Sequence, residues 1–327
     1  SSAASDVYKR QRMCLALLLL IFSFNVSAQK TFKNPILPGF HPDPSICRVE
    51  NDYYMVTSSF EWFPGLPIFH SKDLVNWEQI GHVLDRPSQL QMKDGLKASN
   101  GLWAPTIRYH QGTYYVICTA TGCGGNFFVT ADSPEGPYSE PIFIKDAPGI
   151  DPSLFFDEDG TMWYCGSING DNKIPPRRYP AEDRIYVQQL DPSTGQFIGE
   201  RHIVSSGYAI NSPYAEAPHI YKIKGKYYLM IAEGGTWENH AVSVFTADNI
   251  VGPYTPFICN PVLTHRHLGN DIDITTIGHA DLVQTQNGDW YSVMLGVRPV
   301  NGFNMLGRET FLTPVEFQGC LLYTSDA

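Results

Sequence analysis

The chain has 327 residues, a formal net charge of −10 at pH 7 and an aromatic content of 13%. Its acidic balance and its lack of a basic stripe argue against nucleic acid or an anionic membrane as a partner. A chain of this length exceeds what one ordinary hydrophobic core organises, unless that core is a ring of repeated sheets.

The first feature in chain order is an apolar segment. Residues 1–12 show no periodicity, and Met13 then begins an apolar run that ends in Val26-Ser27-Ala28. The run is too short to span a membrane, and its small terminal residues are typical of a signal-peptide cleavage site. We therefore predict a foreign-looking leader plus a secretory signal peptide over 1–28, no membrane span in the mature chain, and a secreted or periplasmic location. An N-terminal membrane anchor is the alternative.

A turn followed by an aromatic pair recurs five times along the rest of the chain. The turns are Asp43-Pro44, Ala104-Pro105, Asp151-Pro152, Ala217-Pro218 and Ala280-Asp281. The aromatic pairs are Tyr53-Tyr54, Tyr114-Tyr115, Trp163-Tyr164, Tyr227-Tyr228 and Trp290-Tyr291. Because the spacing inside each repeat is nearly fixed while the distance between repeats varies, the pattern indicates one structural unit with variable loops.

Each aromatic pair opens a short run of aromatic and β-branched residues, which predicts the second strand of a hairpin. The similar phrases at 132–138 (DSPEGPY) and 248–254 (DNIVGPY) are predicted to close outer strands. Beyond the signal segment, no run predicts a helix of 12 or more residues. Five repeats of about four strands predict an all-β fold, a five-bladed β-propeller over residues 29–317.

The cysteines carry no metal-site pattern. The sequence has seven of them and no CxxC or Cys/His spacing that would bind a metal. Three are expected to pack as small hydrophobic residues in strands. A Cys118–Cys123 disulfide is left open.

Three acidic residues occupy the same position in different repeats: Asp43, Asp151 and Glu216. In a propeller the innermost strands end at one face of the central channel, so we expect these side chains to converge. Glycoside hydrolysis needs a protonated acid and an ionised base, and a third carboxylate can raise the pKa of the acid. The alternative is that the acids cap backbone N–H groups at the channel mouth.

Eight motifs in fixed order carry a family resemblance. They are 34–46 (NPILPGFHPDPSI), 59–65 (SFEWFPG), 101–105 (GLWAP), 151–153 (DPS), 216–219 (EAPH), 232–236 (AEGGT), 278–281 (GHAD) and 306–310 (LGRET). From about Asn34 to Phe317 the chain resembles glycoside hydrolase family 43, in the branch of β-xylosidases that often also release α-L-arabinofuranose. The resemblance implies an inverting mechanism with Asp43 as general base, Asp151 as pKa modulator and Glu216 as general acid.

The resemblance also implies four substrate-binding residues. Phe60 and Trp103 would wall the sugar, Arg308 would reach the sugar or the acids, and His279 would hold a water or an ion near the acids. Trp103 could instead be core, Arg308 could pair with Glu309, and His279 could be a satisfied core histidine. Residues 233–236 are expected to form a loop at the pocket rim.

These features together predict an exo-acting, inverting glycosidase that releases terminal xylose, and also arabinofuranose, from xylo-oligosaccharides or arabinoxylan. An endo-arabinanase of the same clan and a non-catalytic carbohydrate-binding propeller are the alternatives. No cofactor is expected to be required, and a structural calcium ion near His279 is left open, as is the oligomeric state. Members of this branch usually continue into a C-terminal β-sandwich. Because only the non-native-looking tail 318–327 follows here, we expect a truncated chain.

Overall fold

The computed structural model describes residues 31–168, 176–269, 271–318 and 321–324. The predicted signal segment therefore lies outside the described residues. Within them the regular secondary structure consists of β-strands, and no helix is long and apolar enough to cross a membrane. The predicted all-β class is confirmed.

The strands form five antiparallel sheets, each made of strands that follow one another in the chain. The first sheet contains β1 (Ser45–Val49), β2 (Asp52–Val56), β3 (Gly65–Ser71) and β4 (Glu78–Leu84). The second contains β5 (Gly101–His110), β6 (Thr113–Thr121), β7 (Gly125–Ala131) and β8 (Ile142–Phe143). The third contains β9 (Ser153–Phe156), β10 (Met162–Ile168), β11 (Arg184–Leu190) and β12 (Phe197–Ser205).

The last two sheets complete the set. The fourth contains β13 (Glu216–Ile223), β14 (Lys226–Glu233), β15 (Ala241–Ala247) and β16 (Thr255–Pro256), and β17 (Leu263–Thr264) also pairs with β15. The fifth contains β18 (Thr275–Gln284), β19 (Trp290–Val297), β20 (Glu309–Gln318) and β21 (Leu321–Thr324). Strand β21 thus lies in the segment predicted to be a non-native tail. Whether that segment is foreign stays a prediction.

The five sheets are the blades of a propeller. The first strand of each blade packs beside the first strand of the next, and β18 packs beside β1, which closes the ring. Each predicted aromatic pair lies in the second strand of its blade, and segments 132–138 and 248–254 link the third strand to the fourth. The five-bladed prediction and its hairpins are confirmed.

The hydrophobic core lies between blades. Neighbouring residues of one strand point to opposite faces. Val116 accordingly packs into the cluster between the first and second blades, whereas Ile117 packs into the cluster between the second and third. A blade therefore buries both faces only when it has a neighbour on each side. Cys118 and Cys123 are both buried and free, so the disulfide that was left open does not form.

A segment ahead of the first blade fastens the ring to the last blade. The backbone N–H groups of Ile36 and Leu37 donate to the carbonyl of Thr310 at 2.9 and 3.2 Å. The side chain of Asn34 both accepts from the N–H of Leu312 and donates to its carbonyl, at 2.9 and 2.8 Å. These contacts hold the segment that leads into the first blade against the third strand of the fifth blade.

Candidate active site

Five residues at the heads of the innermost strands share an unusual backbone conformation. Their φ angles lie between 39° and 55°, in the left-handed region. They are Asp43, Ala104, Asp151, Ala217 and His279. The first four precede proline, and in the second, fourth and fifth blades a register shift marks a bulge at this point. Such strained residues persist only where the surrounding structure imposes them, and they cluster at functional sites.

In the fifth blade the turn lies one residue earlier than the repeat pattern predicts. The pattern matches Ala280-Asp281 to the other four turns, but the left-handed residue is His279. The bulge in β18 spans Gly278 to Asp281 and shifts the phase, so His279 takes the place that Asp43 and Asp151 take in their blades.

A cavity of about 330 Å³ lies where these strand heads meet. All seven residues predicted for the site line it: Asp43, Phe60, Trp103, Asp151, Glu216, His279 and Arg308. The remaining lining residues are Ser99, Ala104, Ile150, Tyr214, Gly235, Thr236 and Trp237. Residues 235 and 236 thus lie at the cavity, as expected for the loop after β14.

Asp43 is held in its ionised form. It is 4% exposed, and its Oδ1 accepts from Arg308 Nη1 at 2.6 Å while its Oδ2 accepts from Ser58 Oγ at 2.6 Å. His279 Nδ1 lies 3.8 Å from Oδ1. Burial alone would raise the pKa of Asp43, but Arg308, His279 and the Ser58 hydrogen bond outweigh it and leave the pKa below its ordinary value. This carboxylate is therefore an acceptor for a proton.

The environment of Glu216 favours its protonated form. Burial is the largest cause of a pKa raised well above the ordinary value for Glu. The negative charges of Asp151, Asp183 and Asp43 raise it further, against a smaller opposing effect of Arg308. A carboxyl group whose pKa is raised in this way suits the role of proton donor.

Asp151 lies between these extremes. Burial and the charge of Asp43 raise its pKa to about 6, against the opposing charge of His279. Its Oδ2 accepts from the N–H of Ala217 at 3.2 Å, the residue that directly follows Glu216. The hydrogen bond ties Asp151 to the strand that carries Glu216, so its charge acts on that neighbour.

Aromatic rings and a guanidinium enclose the side of the cavity next to Asp43. The rings of Phe60 and Trp103 lie 6.3 Å apart between centroids, and the Arg308 guanidinium lies 5.4 Å from the Phe60 centroid. Trp103 Nε1 donates to the carbonyl of Ser99 at 2.7 Å, which fixes the indole. These contacts form an apolar wall with one cation beside it.

Arg308 faces the acids and not its sequence neighbour. Glu309 is instead paired with Arg298, at 2.6 and 2.9 Å. The alternative pairing of Arg308 with Glu309 is therefore absent from this structure.

The sequence profile of the Glycosyl hydrolases family 43 matches residues 32–320. The chain belongs to this family. It is 48% identical over 284 residues to a xylosidase/arabinosidase from Butyrivibrio fibrisolvens, an alignment that covers 86% of this chain and 54% of that protein. It is 47% identical over 309 residues to a non-reducing end alpha-L-arabinofuranosidase from Bacteroides ovatus, covering 92% of this chain and 55% of that protein.

Solved structures give the same relationship. A xylan beta-1,4-xylosidase from Bacillus halodurans superposes with a TM-score of 0.82 at 39% identity, covering 90% of this chain and 56% of that one. A family 43 protein from a capybara gut metagenome superposes with a TM-score of 0.83 at 42% identity, covering 93% and 56%. The chain thus spans just over half the length of the relatives that it matches.

Several residues at this family 43 site gave no signal in the repeat pattern. Ser58 follows β2 and Asp183 precedes β11. Tyr214 lies in the segment between the third and fourth blades, and Trp237 lies in the loop between β14 and β15. Only Trp237 could have been suspected, because a tryptophan directly after Gly234-Gly235-Thr236 has no strand to pack into. Trp62, in the loop of Phe60, is 69% exposed and does not line the cavity.

The described residues include no group of three or more His, Cys, Asp or Glu side chains arranged to hold a metal ion. Calcium prefers six to eight oxygen ligands, whereas His279 offers a nitrogen that faces the carboxylate of Asp43. The structural calcium ion that was left open near His279 stays untested.

Proposed function

We propose that this propeller is the catalytic domain of an exo-acting, inverting glycosidase that releases terminal xylose and α-L-arabinofuranose from xylo-oligosaccharides or arabinoxylan. The observation that carries the proposal is that two carboxyl groups lining one cavity lie in environments that shift their pKa values in opposite directions. Asp43 has a lowered pKa and Glu216 a raised one. Titratable groups whose environments drive their pKa values apart are the mark of an acid and a base.

In the proposed reaction Glu216 gives its proton to the glycosidic oxygen of the leaving group. Asp43 takes a proton from a water molecule, whose oxygen attacks the anomeric carbon from the opposite face. The proton balance then leaves Glu216 ionised and Asp43 protonated, and exchange with solvent restores both. Arg308 and Ser58 keep Asp43 ready to accept, and Asp151 keeps Glu216 ready to donate.

The size of the cavity supports action at a chain end. At about 330 Å³ it lies at the lower end of the roughly 300–1,000 Å³ that small-ligand sites occupy. The names of the relatives support a pentose, and they include both a xylosidase/arabinosidase and an arabinofuranosidase. We therefore propose activity on both sugars. An endo-arabinanase would instead release oligosaccharides from linear arabinan, which product sizing distinguishes.

We further propose that hydrolysis requires no cofactor and that the protein is secreted or periplasmic. The first point is supported by a complete acid–base pair formed by Glu216 and Asp43 alone. The second is supported by the apolar run that follows Met13 and ends at Ala28.

The test is hydrolysis of aryl β-D-xylopyranoside, aryl α-L-arabinofuranoside and xylobiose by the wild type and by Glu216→Ala. We expect the variant to lose on the order of 10²–10⁴-fold in rate on xylobiose, the usual contribution of a general acid. The loss should be smaller on aryl glycosides, whose leaving groups need less protonation. Glu158→Ala is the matched control. Glu158 is exposed in the turn between β9 and β10, outside the cavity, so this variant should retain the wild-type rates.

Hydrolysis of none of the three substrates by folded wild-type protein would contradict the proposal. If xylose and xylobiose still bound, the carbohydrate-binding alternative would replace it.

A further inference from the structure

A second pair of aromatic side chains lines the cavity beside Glu216. Tyr214 lies two residues before Glu216, and Trp237 lies in the loop after β14. Their rings meet edge to face with centroids 5.8 Å apart. Trp237 is 49% exposed although it lines a cavity, so much of its indole is open to a ligand.

The loop that carries Trp237 is fixed from several directions. Glu233, at the end of β14, is 1% exposed and accepts from Ser243 Oγ at 2.7 Å and from the N–H of Tyr208 at 2.9 Å. The N–H of Gly234 donates to the carbonyl of Pro213 at 2.9 Å. The segment before Glu216 and the segment before Trp237 are therefore tied together.

Glycine is required at the head of this loop. Gly234 has a φ of +92°, and a Cβ there would lie 2.1 Å from the carbonyl oxygen of Asn239. The carbonyl of Trp237 in turn accepts from the N–H of His240 at 2.9 Å. A loop whose backbone is held in place in this way loses little conformational entropy when its side chain binds a ligand.

The chemistry of the site decides which part of a substrate meets this ring. The general acid protonates the oxygen of the leaving group, so the leaving group must lie on the side of Glu216. Phe60 and Trp103 enclose the side of Asp43. The faces of Tyr214 and Trp237 are then left for the leaving group, and a sugar ring suits an exposed indole because it has apolar C–H faces and polar edges.

We propose that Trp237 is a specificity-determining residue, whose indole stacks on the pyranose ring of the xylosyl unit that leaves when Glu216 protonates it. The inference rests on the proposed function. It applies to both released pentoses, since a xylosyl unit is the leaving group in xylo-oligosaccharides and in arabinoxylan alike. It makes turnover depend on a sugar at the leaving position, because binding energy there contributes to the transition state.

The test compares two substrates that differ only in the leaving group, xylobiose and methyl β-D-xylopyranoside. We expect Trp237→Ala to lower kcat/KM for xylobiose by about tenfold or more and for the methyl glycoside by less than about threefold, in line with the loss of one apolar contact. Trp237→Phe, which keeps an aromatic face, should retain most of the activity on xylobiose. If the enzyme prefers arabinofuranose, the same comparison is made with two α-L-arabinofuranosides, one with a xylosyl and one with a methyl leaving group.

Trp62→Ala is the matched control, since Trp62 is an exposed tryptophan outside the cavity. Trp62→Ala should leave kcat/KM unchanged for both substrates. An equal fall on both substrates for Trp237→Ala, or no fall on xylobiose, would overturn the inference.

A binding measurement separates this inference from the proposed function. In a Glu216→Gln background, xylobiose and xylose are titrated with and without Trp237→Ala. We expect the tryptophan variant to lose the preference for xylobiose over xylose. An unchanged preference would refute the stacking of Trp237 on the leaving xylosyl unit. Failure of the proposed function shows separately, as a wild type that binds these sugars but hydrolyses none.

Discussion

Asp183 is a third carboxylate, beside Asp151 and Asp43, that acts on Glu216, the proposed general acid. It is 1% exposed, its Oδ1 accepts from Arg177 Nη2 at 2.8 Å, and its Oδ2 has no hydrogen-bond partner among the described residues. Burial raises the pKa of Asp183 to about 6. The N–H of Tyr214 donates to the carbonyl of Ala181 at 2.9 Å, which holds this segment against the one that leads into Glu216.

Asp183→Asn should therefore lower the pKa of Glu216, because the charge that repels its ionised form is gone. A general acid must be protonated to act, so the alkaline limb of the pH profile of kcat/KM should move to lower pH. Glu182→Gln is the control. Glu182 is equally buried and pairs with Arg178 and Arg184. The carboxylates that contribute most to the raised pKa of Glu216 are Asp151, Asp183 and Asp43. An alkaline limb that stays in place in Asp183→Asn would disprove this role.

The sequence could predict those site residues that occupy the same position within different repeats. Asp43, Asp151 and Glu216 stand at or just before the left-handed residue of their blades, so aligning the repeats aligns the side chains. Asp183 and Trp237 lie in loops between later strands of a blade. Their approach to the cavity depends on how blades close around it, which no local pattern encodes.

At the level of the element, the bend at the head of each innermost strand aims the site residues. Gly149 makes the bend possible in the third blade, two residues before Asp151. Its φ is +81°, and a Cβ there would lie 1.6 Å from the carbonyl oxygen of Ser167. Gly160 has nearly the same φ, +84°, in the turn before β10, but open space surrounds it.

Comparing Gly149 with Gly160 distinguishes the cost of backbone strain from the cost of steric conflict. Gly160→Ala should cost about 1–2 kcal/mol of unfolding free energy, the penalty for a side chain in the left-handed region. Gly149→Ala should cost clearly more, because strand β10 must also move away, and it should lower kcat by displacing Asp151. Urea unfolding and xylobiose turnover measure the two effects. Equal losses of stability in the two variants would contradict the close packing at Gly149.

The fifth innermost strand, β18, is the one element whose turn the repeat pattern predicts at the wrong residue. The fifth turn has no proline, and the distance from Ala280-Asp281 to its aromatic pair matches that of the other repeats. A bulge adds a residue without changing the composition, so spacing alone could not place His279 at the shared position.

At the scale of the whole molecule, one buried carboxylate joins four of the five blades. Asp281 in β18 is fully buried and accepts from Arg108 of β5 at 2.8 and 3.1 Å. It also accepts from Ser45 Oγ of β1 and from the hydroxyl of Tyr221 in β13, each at 2.6 Å. Burial opposes ionisation, yet Arg108, His219 and these hydrogen bonds hold the pKa of Asp281 well below its usual range. The bulge in β18 gives the shared position to His279, and the sequence did not predict the partners of Asp281.

Asp281→Asn should destabilise the propeller by about 3–5 kcal/mol, because it leaves the buried guanidinium of Arg108 without its counter-ion. A depressed pKa contributes stability above the ordinary pKa of Asp, which is lost as the pH falls through the native value. The gap between wild type and variant in urea unfolding should therefore be full at pH 7 and narrow in strong acid. Asp248→Asn, which removes the exposed partner of Lys226, should change little. Similar losses in both variants would contradict the role of the buried network.

The five-bladed ring itself was predictable, because each repeat carries a hairpin that cannot bury its two faces alone. We propose further that Asp43 and Glu216 act as base and acid in a single displacement. The most direct test is proton NMR of the xylose first released from an aryl β-D-xylopyranoside, which yields only one sugar. We predict that α-xylose appears first and then mutarotates, since one displacement inverts the β-linkage. Release of β-xylose first would show a retained configuration and contradict the assignment of Asp43 as a base that activates water.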